Sequence, residues 1–197
     1  MVVIPPRDHR HVPWRNGRGS TADIAWAGWP QASGEHAAWR LSLADIGEDA
    51  PFSDFAGFDR VILLAEGAGF VLEGGGREAV TLAPPPRPFA FPGEWAPACR
   101  LLGGPVRALN VITARGRARA GVAVARLGPA EARRLSGADP ALCYVLDGAV
   151  ALETAGQARA LARGDTAVVA RVDARLEAGA AGTLLALVAI DLSPRPS

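Results

Sequence analysis

The residues able to do chemistry are polar side chains set inside runs that otherwise read as β-strands. In Trp39-Arg-Leu-Ser-Leu-Ala, strand alternation puts Trp39, Leu41 and Leu43 on one face and Arg40, Ser42 and Ala44 on the other. In Arg60-Val-Ile-Leu-Leu, Arg60 shares a face with Ile62 and Leu64, and Asn110 lies within Leu109-Asn-Val-Ile. If such a face lines a barrel interior, its arginine needs a partner, because a buried unpaired charge costs several kcal/mol. Glu66, Asp45 and Asp59 are candidates within the chain, and a ligand carboxylate gripped bidentately by the guanidinium is the alternative. On the plainer reading each arginine lies on the solvent face of an edge strand, and Ser42 and Asn110 satisfy local backbone groups.

Other chemistries find little support. All 21 basic residues are arginine, so Schiff-base, P-loop and pyridoxal chemistry, which need lysine, are excluded. The only histidines are His9, His11 and His36; the His9-x-His11 pair precedes every candidate strand and reads as a polar, solvated segment, so no metal is expected. Cys99 and Cys143 sit in apolar runs and read as buried structural thiols. There is no Gly-x-Ser-x-Gly elbow. Asn16-Gly-Arg-Gly-Ser-Thr exposes backbone N–H groups but fits no phosphate-loop pattern. Arg115-Gly-Arg-Ala-Arg is a local basic patch, and it reads as a solvated loop. No catalytic residue and no cofactor is expected.

Stepping out to the elements that must position these groups, Gly and Pro make up 39 of 197 residues, which favours many tight turns over a helical bundle. A net charge of +1 gives no bulk attraction to nucleic acid or membrane. The N-terminus lacks a signal-like apolar core, and Leu184–Ile190 is too short to span a bilayer, so a cytoplasmic protein is expected. Candidate strands are Trp39–Ala44, Arg60–Ala65, Gly69–Glu73, Phe89–Phe91, Cys99–Leu102, Leu109–Thr113, Val122–Leu127, Cys143–Leu146, Val150–Glu153, Thr166–Ala170 and Gly182–Ile190, with one helix over Pro129–Leu135. Leu64–Glu73 and Val145–Glu153 resemble one another, with Gly67 and Gly148 at matching places. The Gly-Asp turn after Arg163 resembles that of a cupin barrel. The expectation is an all-β bicupin: two cupin-like, jelly-roll barrels with little helix, one over 1–114 and one over 115–197. Eleven of the twelve aromatic residues fall in the first 95, which favours a ligand pocket in the first barrel and a supporting or interface role for the second.

Pro13-Trp-Arg-Asn-Gly-Arg-Gly-Ser-Thr-Ala-Asp-Ile resembles the N-terminal signature of the HutD/Ves family. Trp39-Arg-Leu-Ser-Leu-Ala, Phe52-Ser-Asp-Phe-Ala-Gly-Phe-Asp-Arg, Leu64-Ala-Glu-Gly, Pro88-Phe-Ala-Phe-Pro-Gly and Gly104-Pro-Val-Arg-Ala-Leu-Asn follow in family order over residues 13–110. The resemblance implies a bicupin without the usual metal, linked to histidine utilisation and binding a small acidic metabolite such as formylglutamate in a regulatory step. It carries over Asn16, Thr21, Arg40, Ser42, Arg60, Glu66, Phe91 and Asn110 as ligand-binding candidates, with Arg60 foremost. Arg15 stands where the family has Lys, and Arg18 interrupts its glycine triplet. Two other readings remain open: a metal-free isomerase or epimerase using Glu66 and Tyr144, and a β-edge interaction module that self-associates into a homodimer.

Overall fold

The computed structural model describes residues 1–14, 19–27, 38–135 and 138–192. Short apolar runs punctuated by Gly, Pro and Asp become strands with almost no helix. In chain order these are β1 (Val2–Ile4), β2 (Arg10–Pro13), β3 (Gly19–Ala27), β4 (Trp39–Ile46), β5 (Ala50–Pro51), β6 (Phe58–Glu66), β7 (Phe70–Gly74), β8 (Arg77–Leu82) and β9 (Phe89–Pro92). They continue with β10 (Ala98–Leu101), β11 (Val106–Ala114), β12 (Arg119–Leu127), β13 (Ala132–Leu135), β14 (Ala141–Thr154), β15 (Gln157–Ala162), β16 (Thr166–Val169) and β17 (Ala174–Asp191). A single 3-10 turn, Pro6–Asp8, is the only helical element among the described residues, and none is long and apolar enough to cross a membrane.

The chain divides into two units, one of Arg10–Arg119 and one that joins Met1–His9 to Ala120–Leu192. A cut between 114 and 115 therefore does not describe the N-terminus: β1 pairs with β16, Val2 opposite Val168, and so goes with the later strands. His9 is buried there rather than solvated as the sequence suggested, whereas His11 is exposed.

In the first unit a six-stranded antiparallel sheet runs β2-β3-β4-β11-β6-β9, and a four-stranded sheet runs β5-β10-β7-β8. Alternation turns Ala44, Ile46, Ile62, Leu64, Val106 and Ala108 of the larger sheet inward, where they pack with Phe70, Leu72, Leu82 and Cys99 of the smaller sheet. The second unit is a seven-stranded sheet, β1-β16-β14-β17-β12, with β15 on β14 and β13 on β17.

The strand pairing of the first unit recurs in the second. β6 pairs with β11 and β9, and the first half of β14 pairs with the second half of β17 and with β16. β7 pairs with β10 and β8, and the second half of β14 pairs with the first half of β17 and with β15. Even a bulge recurs: Ala65 is skipped between Leu64 and Glu66, and Leu146 between Val145 and Asp147. The copies differ in continuity. The sequence suggested separate strands on either side of Gly148. Instead β14 runs through it as one bent strand, because Gly148, opposite Thr183, adopts φ +78, with the Gly182 carbonyl 2.5 Å from where a Cβ would stand.

The helix expected over Pro129–Leu135 does not form. Ala130 sits at φ +56, which ends any right-handed turn, and Glu131 accepts the Gly128 N–H through its carboxylate at 2.8 Å. The residues that follow gain more by pairing with β17, Arg133 opposite Leu176.

Gly148→Ala should therefore cost roughly 3 kcal/mol in urea unfolding, combining left-handed strain with a backbone collision. Gly156→Ala, also at positive φ (+85) but with open space around it, should cost only about 1 kcal/mol.

Candidate functional site

Three strands of the six-stranded sheet bring the polar residues together. β11 lies between β4 and β6, so Asn110 stands opposite both Ser42 and Ile62, and Ile112 opposite both Arg40 and Arg60. The face that carries the apolar core at one end thus carries Arg40, Ser42, Arg60 and Asn110 at the other. These residues and Thr21 line a cavity of about 410 Å3, closed further by Trp14, Phe52 and Phe55.

Arg60 dominates its electrostatics. The residue is only 6% exposed. Its Nη2 donates to Asn110 Oδ1 at 3.0 Å, and Nε and Nη1 have no hydrogen-bond partner among the described residues. Three rings take the place of a counter-ion: the guanidinium carbon lies 5.1 Å from the centroids of Phe52 and Phe55 and 4.9 Å from that of Phe91. Each such contact returns about 0.5–2 kcal/mol. Burial, and then the like charge of Arg40, pulls the Arg60 pKa from 12.5 down to about 10. That shift corresponds to a penalty of order 3 kcal/mol. Because the folded value lies below the unfolded one, the penalty applies in full at every pH below about 10 and is relieved only above it.

Arg40 is different. Its Nε donates to Asp23 Oδ1 at 2.7 Å and its Nη2 to the same oxygen, both residues being nearly buried. Among the described residues the cavity therefore holds one matched ion pair and one cation, Arg60, that meets no carboxylate.

None of the three internal acids proposed for Arg60 reaches it. Asp45 accepts from Arg107 Nε at 2.5 Å and from Ser20 at 3.1 Å. Asp59 accepts from Arg115 Nε at 2.8 Å. Glu66 lies 3.7 Å from Arg107 Nη1 and lines a separate, more open cavity with Asp45 and Gly67, so it does not join the ligand candidates. Register decides this: β6 crosses the sheet from Arg60 at one end to Glu66 opposite Arg107 at the other.

The remaining candidates are placed as follows. Thr21 accepts the Trp14 indole N–H at 2.8 Å and lines the cavity. Phe91 backs Arg60 from β9, pairing with it in register. Asn16 lies outside the described residues, as do Arg15, Arg18 and His36. Glu66 and Tyr144, the acid–base pair of the isomerase reading, belong to different units. Cys99 and Cys143 are buried free thiols, both pushed up to about 12 by burial. Arg115, the first arginine of the basic patch, is tied to Asp59 and Glu94, whose carboxyl it holds below the usual range.

Sequence reasoning missed Asp23, Phe52 and Phe55. The two phenylalanines stood in the quoted Phe52–Arg60 motif. Asp23 stood in the quoted motif that begins at Pro13, but no strand was expected there, so nothing in the sequence aimed it at Arg40; in the structure it pairs opposite Ser42 on β3.

The recurring pairing also shows why the second unit lacks this site. The positions matching Arg60, Asn110 and Phe91 are Ala141, Leu187 and Val169, all members of one apolar core against which Met1 and Val3 pack.

In buffer free of carboxylates, Arg60→Met should leave unfolding stability unchanged or raise it, since an unmatched buried charge is removed. Arg40→Met should lower it by about 2–4 kcal/mol by stranding Asp23. Urea denaturation at pH 7 reads both.

The comparisons with known proteins fit this geometry. The HutD family model matches residues 6–186. An uncharacterised 21.2 kDa protein in the hutC 3′ region of Pseudomonas putida is 40% identical over 123 residues, 61% of this chain and 62% of its own. The protein Ves of Citrobacter koseri is 38% identical over 122 residues, 60% of this chain and 62% of its own. The matched stretch thus spans about three fifths of the length of these relatives. A conserved protein of unknown function from Pseudomonas aeruginosa superposes with a TM-score of 0.85 at 32% identity, covering 96% of this chain and 98% of that one. HutD from Pseudomonas fluorescens, solved in a formate condition, gives 0.79 at 32%, covering 98% and 99%. A cupin 2 conserved barrel protein from Leptotrichia buccalis gives 0.61 at 12%, covering 91% and 92%, a likeness of fold alone. The chain, all-β and cupin-like, belongs to the HutD family.

Proposed function

We propose that this chain binds a small carboxylate metabolite, such as formylglutamate, in the Arg60 cavity and serves a regulatory role in histidine utilisation. In this reading both units are cupin-like barrels, and the first carries the arginine-lined pocket. One observation carries it. A guanidinium is buried on the wall of a cavity large enough for a small acid, and among the described residues it meets no carboxylate and two of its nitrogens have no hydrogen-bond partner. A ligand carboxylate supplies the missing charge and accepts the unused N–H groups, which offsets a penalty that the apo fold otherwise bears alone. The hutC 3′ region in which the Pseudomonas putida relative lies supports the choice of pathway.

Thermal unfolding against formylglutamate, glutamate, urocanate, formate and sugars tests the reading. An acid at a hundredfold over its Kd should add about 2.7 kcal/mol, roughly 5–11 °C for a chain of this size, and Arg60→Ala should abolish the shift. A panel in which no acid raises the midpoint would overturn it.

The pH dependence follows from Arg60. The protonated guanidinium is the binding form, so affinity should be flat from neutral pH to about 9 and fall as pH passes about 10. Isothermal titration across that range checks the sign.

A further inference from the structure

Resting on that reading, we infer that Asp23 sets the specificity of the cavity: by neutralising Arg40 it leaves a single positive charge, so the cavity takes one carboxylate and keeps a second one out. Among the described lining residues the only ionisable groups are Arg40 and Arg60. Asp23 Oδ1 accepts both the Nε and Nη2 of Arg40, and Asp23 is itself only 8% exposed, so this pairing is shielded from solvent. Its field is correspondingly little screened. Asp23 stands opposite Ser42 on the neighbouring strand, one residue pair from Asn110, so it acts on the site through Arg40.

The charge balance then dictates the ligand class. A monocarboxylate brings the cavity to neutrality. A second carboxylate inside it would meet Phe52, Phe55 and Ile112 and no unmatched cation, which is an unfavourable way to lose its water. A dicarboxylate such as formylglutamate therefore engages Arg60 with one end and leaves the other at the mouth, in water. A ligand with a single acid group and a neutral polar tail suits the interior.

Glutarate and its monoamide, glutaramate, differ by one charge at nearly constant shape, and their Kd values by isothermal titration make the test. The wild type should bind glutaramate at least as tightly as glutarate. Asp23→Asn frees the Arg40 charge and should shift the preference toward glutarate by roughly tenfold or more. Arg40→Gln leaves Asp23 to cancel Arg60 and should weaken both acids by at least tenfold. The double variant Asp23→Asn/Arg40→Gln restores the single charge and should return the wild-type preference, an outcome that a merely structural role for Asp23 does not give. The double variant also keeps the idea testable should Asp23→Asn fail to fold. If Arg60→Ala abolishes binding of both acids while the preference stays constant across the Asp23 and Arg40 variants, the role of Asp23 is overturned and the carboxylate site stands. If Arg60→Ala binds both acids as the wild type does, or the wild type binds neither, the site reading itself falls.

Discussion

A buried guanidinium that, among the described residues, meets three phenylalanine rings and one amide but no carboxylate is the constraint around which the first unit is arranged. Folding must bring Arg60 inside together with Ile62 and Leu64, because all three lie on one face of β6 and the strand cannot turn two inward without the third. The ring contacts return part of the desolvation cost and fix the plane of the guanidinium. Asn110 fixes one nitrogen. What is left over is charge and N–H capacity, and both are properties that a ligand can use.

The arrangement of the other acids in this unit keeps that capacity open. Asp23 is held by Arg40, Asp45 by Arg107, and Asp59 by Arg115. Each lies on an element next to its arginine in the sheet or at the sheet's end, so satisfying those pairs costs no distortion. Arg60 is kept on this face by the apolar packing of Ala44, Ile62, Leu64 and Ala108 beside it.

Much of this was legible in the sequence, and the remainder failed for identifiable reasons. Alternation alone put Arg40 with Ser42 and Ala44, and Arg60 with Ile62 and Leu64, and burial on the inward face follows that pattern. Partner choice was not legible, because it depends on which strands become neighbours across fifty or more residues, as with Arg60 and Asn110. Asp23 was missed because its segment, rich in Gly, Ser, Thr and Ala, does not read as a strand, and the Pro129–Leu135 helix was lost to a left-handed alanine and an available strand edge. β14 was split in two because a glycine within an apolar run reads as a turn, whereas here Gly148 and Gly182 lie close together at a bend in a continuous ladder.

The identity of the cation follows from the same physics. The chain has no lysine anywhere, and at this position the difference is chemical rather than compositional. Burial and a neighbouring charge drag Arg60 down to about 10, yet it remains a cation at neutral pH. A lysine starts from a lower pKa, and the same burial would bring it closer to losing its charge. It would also lack the flat face that stacks on Phe52, Phe55 and Phe91, and the additional N–H groups that remain after Asn110 is satisfied. A buried cation that must keep its charge beside a second guanidinium, with aromatic rings for neighbours, is therefore better served by arginine than by lysine.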